Sequence, residues 1–144
     1  VGAIISHKDS KYKEALEFYG KNLGLTFQIA DDTLDYNSEL KVFGKKIGND
    51  FFEGKVTLPI ILLYQKIDQD DKKYLKSLFN KEKRNNEELD YILNLIKKNN
   101  IINECYKKAE HFINLSYNSL SAFDDSEEKK ILKNLTSFSI ERNF

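Results

Sequence analysis

The 144-residue sequence predicts an all-α bundle. Apolar residues recur at three- and four-residue steps along most of the chain, no stretch alternates apolar with polar residues, and Asn, Lys and Asp clusters supply the turn signals between periodic segments. The first helix is expected over about residues 11–36, where Leu16, Tyr19, Leu23 and Phe27 mark one face. The stretch "NSELKVFGKKIGNDFFEG" then breaks the period with three glycines. It reads as a long ordered loop, and loops of that length in compact domains are usually functional or disordered. A helix should restart near Thr57, with the only proline, Pro59, tolerated in a first turn that needs no intrahelical donor there. Further helices are expected over about residues 70–79, 86–98 and 101–121. The last should cover about residues 125–142, with Ile131, Leu135 and Phe138 on its buried side.

The length suits a single domain with a real core. Twenty-three basic and 23 acidic side chains cancel, so the charge balance points neither to nucleic acid nor to an anionic membrane. A single cysteine, Cys105, excludes an internal disulfide framework and fits a reducing cytosol. No apolar run approaches the ~20 residues of a membrane-spanning helix. The chain has no Met and opens abruptly on "VGAIISHKDS", so it reads as a piece of something longer.

Three acidic clusters invite comparison: "DDTLD" at 31–35, "DQDD" at 68–71 and "DDSEE" at 124–128. The latter two fall where helices begin, and capping of free amides accounts for them. "DDTLD" lies near the end of a helix, where carboxylates oppose the dipole unless a cation compensates. Asp31 and Asp35 are one turn apart on one face, with Cβ atoms about 5–6 Å from each other. Mg²⁺ uses few protein carboxylates and completes its shell with water and phosphate oxygens, so such a face suits a metal–diphosphate site. Gly20, Gly24 and Gln28 continue the row upstream as a narrow polar strip, although for the glycines alone close helix–helix packing is the preferred explanation. Lys45 and Lys55 sit beside glycines downstream, where backbone and ammonium can approach an anion.

Together, "YGKNLGLTFQIADDTLDYN" and "GKKIGNDFFEGKVTLP" resemble the second aspartate-rich region of trans-isoprenyl (polyprenyl) diphosphate synthases, most like long-chain members such as octaprenyl diphosphate synthase. The specific part covers residues 19–59, and the C-terminal helices are similar in a more generic way. The resemblance implies the C-terminal part of an isoprenoid-synthase-type bundle, with the N-terminal portion absent. It implies a prenyltransferase of isoprenoid biosynthesis that condenses isopentenyl diphosphate head to tail with an allylic diphosphate, toward a quinone side chain. Asp31, Asp32 and Asp35 would be catalytic Mg²⁺ ligands, with Asp31 a direct one. Phe27, Gln28, Lys45 and Lys55 would meet substrate, and Asp50 would support the metal shell. The implied partners are an N-terminal synthase portion or a homo- or hetero-oligomer partner. The implied location is cytoplasmic, or peripheral to the membrane that receives the product. The family's first aspartate-rich motif has no counterpart here, so full activity is expected to need the missing portion. A non-catalytic interaction subunit, or a decayed remnant, is the alternative.

Overall fold

The computed structural model describes residues 9–37 and 47–141. They carry seven α-helices and no strand, the all-helical class that the periodicity predicts, with one helix more than expected. In order these are α1 (Ser10–Leu34), α2 (Asn49–Glu53), α3 (Leu58–Lys66), α4 (Gln69–Phe79), α5 (Asn86–Lys98), α6 (Ile101–Ser119) and α7 (Glu127–Glu141), with a 3₁₀ turn, Leu120–Ala122, before α7. No helix among the described residues is long and apolar enough to cross a membrane.

Local chemistry sets most of the boundaries. Asp68 caps α4, its carboxylate accepting the amides of Asp70 at 3.1 Å and Asp71 at 2.9 Å. α5 opens with a reciprocal box in which Asn85 accepts the Glu88 amide at 2.9 Å and Glu88 accepts the Asn85 amide at 3.0 Å. At α7 the cap is a hydroxyl rather than an acid: Ser126 accepts the Lys129 amide at 3.2 Å, and Asp125 pairs with the Lys129 ammonium at 3.0 Å. The expected loop contains a helix that periodicity missed, because the five residues of α2 are too few to show a stripe.

The chain divides into two compact units. The first takes residues up to Gln28 together with Lys108–Phe144. Its buried face on α1 is Tyr19, Asn22 and Thr26, while Phe27 is 51% exposed. The predicted stripe is therefore displaced, and the buried polar groups are satisfied locally or across helices. Tyr19 donates to the Leu132 carbonyl at 2.8 Å, Ser116 donates to that of Tyr19 at 3.0 Å, and Asn22 donates to that of Phe18 at 2.7 Å. On α7 the expected buried side is also corrected: Ile131 and Leu135 are exposed, and Thr136 is buried. The Phe138 side chain lies outside the described residues.

The second unit is Ile29–Lys107. Its core is conventional: Leu63 and Ile60 of α3, Leu75 and Leu78 of α4, Ile92 and Ile96 of α5, and Ile101 and Cys105 of α6 are all buried. Phe51 of α2 is fully buried with them and meets Phe79 edge-on, ring centroids 5.7 Å apart. That aromatic seats α2 in the core of the unit.

Candidate functional site

The end of α1 carries the acids. Asp31 is exposed, Asp32 is half-buried, and Asp35 is 4% exposed in the turn just beyond Leu34. The Asp35 amide donates back to the Asp31 carbonyl at 3.3 Å, so the two residues keep helical spacing. The three aspartates thus have different surroundings, which sequence spacing alone did not separate.

Asp35 reaches across to α2. Its Oδ1 accepts the amide of Asn49 at 3.2 Å and its Oδ2 that of Asp50 at 2.8 Å, and its carbonyl accepts the amide of Gly48 at 2.8 Å. Free amides at a helix start need acceptors, and a buried carboxylate supplies two. Gly48 makes this approach possible: its φ is +84°, and a Cβ there would lie 2.5 Å from a Leu89 methyl carbon.

The other end of α2 is closed by a Schellman turn. Gly54, at φ +74°, donates to the Phe51 carbonyl at 3.0 Å, and Lys55 donates its amide to the Asp50 carbonyl at 2.9 Å. The Lys55 ammonium then bonds Glu53 at 2.7 Å and Asp50 at 3.3 Å. Those two acids, Glu53 first, hold the Lys55 pKa above the ordinary lysine value. Asp50 is therefore linked on one side to the acidic end of α1 and on the other to Lys55.

Sequence reasoning missed Arg84. Its guanidinium donates to the carbonyls of Phe52 at 3.3 Å and Phe79 at 2.9 Å. It lies over both phenyl rings, 5.9 Å from the Phe51 centroid and 5.4 Å from that of Phe79. A Cβ on Gly54 would fall 2.8 Å from it. The glycine beside Lys55 thus makes room for a cation of the chain itself. The only sequence clue is negative: Arg84 is one of two arginines in a chain that otherwise uses lysine.

Of the other expected residues, Phe27 and Gln28 are exposed on α1. Gly20 and Gly24 are exposed as well, and a Cβ on either would meet nothing within 4 Å, so the pair makes no tight packing contact. Lys45 lies outside the described residues. Among the described residues, no three His, Cys, Asp or Glu side chains gather as a ready-made metal cage. The donor chemistry nonetheless fits Mg²⁺, a hard cation that needs only one or two protein carboxylates when phosphate and water supply the rest.

Fold and site together define an all-helical protein whose acidic helix end and lysine-bearing turn belong to one unit, joined by hydrogen bonds. The chain belongs to the polyprenyl synthetase family, whose model matches residues 1–96. It is 28% identical over 141 residues to the all-trans-nonaprenyl-diphosphate synthase (geranyl-diphosphate specific) of Rhodobacter capsulatus, covering 98% of this chain and 43% of that protein. It is 32% identical over 144 residues to the geranylgeranyl diphosphate synthase of Saccharolobus solfataricus, covering 99% and 43%. The polyprenyl synthase of Caulobacter crescentus, crystallised with calcium and isoprenyl diphosphate, superposes with a TM-score of 0.85 at 29% identity, covering 99% of this chain and 44% of that one. The chain thus spans about two-fifths of the length of the curated relatives it matches.

Proposed function

We propose that this chain is the C-terminal portion of a polyprenyl diphosphate synthase, a prenyltransferase, and contributes one half of its Mg²⁺–diphosphate site. The reaction is the head-to-tail condensation of isopentenyl diphosphate with an allylic diphosphate. The observation that carries the proposal is the linkage from the acids of α1, through Asp35 and Asp50, to Lys55.

Each residue has a distinct role. Asp31 and Asp32 would hold Mg²⁺, which when bound neutralises charge on the departing diphosphate. Lys55, and Lys45 with it, offers the diphosphate point charges that need no bidentate geometry. To do so, Lys55 exchanges its Glu53 pairing for a phosphate oxygen, a change open to an exposed, flexible side chain. Asp35 acts indirectly, because its oxygens accept the amides that start α2. Asp50 is held by Asp35 and in turn orients Lys55. Phe27 and Gln28, one turn before Asp31, would border the substrate.

Calorimetry with inorganic diphosphate tests the proposal. The chain should take up diphosphate only with Mg²⁺ present, and Asp31→Ala should abolish that uptake. Co-expression with an N-terminal portion of a synthase should restore incorporation of labelled isopentenyl diphosphate. Either result, no Mg²⁺-dependent uptake by the folded chain or no product from the folded pair, would end it.

A second reading, a non-catalytic partner subunit, draws on the exposed Phe18, Leu25 and Phe27 of α1, large apolar groups suited to a protein contact. On that reading Asp31→Ala leaves the activity of an assembled synthase unchanged.

A further inference from the structure

We infer that Arg84 is a positioning residue for diphosphate binding: by clamping the far end of α2 it sets where Lys55 can reach. The inference rests on the function proposed above, and its geometry lies within the Ile29–Lys107 unit.

α2 is too short to hold its own shape. Five residues cannot pair most of their amides and carbonyls within the helix, so neighbours must satisfy them. Asp35 does this at the start, with an anion facing N–H groups. Arg84 does it at the finish, with a cation facing the Phe52 carbonyl. The guanidinium is fixed in turn by the Phe79 carbonyl and by the Phe51 and Phe79 rings. Its Nε is buried with no hydrogen-bond partner among the described residues, a desolvation cost that these contacts must offset.

Lys55 follows one residue after Gly54, and Gly54 lies directly under that guanidinium. Displacing Arg84 therefore removes the clamp on the Phe52 carbonyl and the cover over Gly54, loosening the turn that sets the Lys55 backbone. A lysine at position 84 keeps the charge but loses the planar fork and its stacking on the rings. Arg84 touches no reacting atom in this scheme, and its effect on the ligand passes through Lys55.

The test titrates Mg²⁺ with inorganic diphosphate into the 144-residue chain and into Arg84→Met, Arg84→Lys, Lys55→Ala and the two double variants. Helical circular dichroism and amide exchange over residues 48–55 are followed in parallel. Arg84→Met should retain the helical signal, speed exchange across 48–55 and weaken diphosphate uptake about tenfold, as loss of a charge-assisted hydrogen bond predicts. Arg84→Lys should fall between wild type and Arg84→Met. Lys55→Ala should cost much less in either Arg84 background than alone, since both losses act through one ammonium. Equal affinity of wild type and Arg84→Met, or losses that simply add, would overturn the inference and leave the proposed function standing. A wild-type chain that takes up no diphosphate overturns both. Should Arg84→Met fail to fold, the Arg84→Lys pair decides by the same criteria.

Discussion

The carboxylate of Asp35 accepts the backbone amide of Asp50 at 2.8 Å, so the acid just beyond α1 fixes the first turn of α2. Two stretches fifteen positions apart become one piece through a side chain that composition alone would assign to the surface. Asp31 and Asp35 share a motif and a helical register, yet one is exposed and the other buried.

That contrast predicts opposite phenotypes. Asp31→Ala should leave the urea midpoint nearly unchanged, within about 0.5 kcal/mol, as exposed substitutions do. Asp35→Asn exchanges one acceptor for an amide that faces an N–H, and should destabilise by about 2 kcal/mol. Equal midpoints for the two variants would contradict the assignment of Asp35 as a brace.

Gly54→Ala should cost at least about 1 kcal/mol from the left-handed backbone alone. It should also push the Arg84 guanidinium away from α2, because the added methyl would lie 2.8 Å from it. Amide exchange localised to residues 48–55 would register this second effect, whereas a uniform loss of protection would speak against it.

Cys105 is fully buried, and burial raises its thiol pKa to about 11. Against an ordinary thiol this leaves roughly 100-fold less thiolate near neutrality. Alkylation of the native chain should therefore be slow and should accelerate only with unfolding. Rapid labelling without loss of helical signal would show that the α6 packing is looser than described.

Glu88 couples α5 to pH. The Lys81 ammonium, with the Asn85 amide, lowers its pKa below the ordinary glutamate value. A folded-state pKa below the unfolded one means that the stabilisation is present above the unfolded value and is lost as pH falls through the folded one. Thermal midpoints should therefore drop on acidification across the low carboxylate range, and Glu88→Gln should flatten that part of the profile. An unchanged profile in the variant would assign the acid sensitivity to other carboxylates.

The helical class and most helix positions were legible because their causes are local. α5 was placed at the residues it occupies, and α4 starts within one residue of expectation. The expected inside of the helices fared worse. Ile131 and Leu135 read as buried and are exposed, while Thr136 is buried, and on α1 Asn22 and Thr26 are buried although no apolar pattern marks them. Periodicity detects an apolar stripe, but short polar side chains that bond nearby carbonyls can be buried at little cost.

By itself the sequence determined an all-helical chain, the family resemblance, and an acid-rich helix end followed by a glycine–lysine segment. Those depend on residue type and spacing within a few turns. Only the tertiary structure decided that Asp35 braces α2 while Asp31 stays exposed, that Gly54 makes room for Arg84, and that Lys55 is held by Asp50. The Asp35 and Arg84 contacts join groups far apart in sequence, and the Lys55 pairing depends on a left-handed turn at Gly54, so no apolar periodicity specifies them.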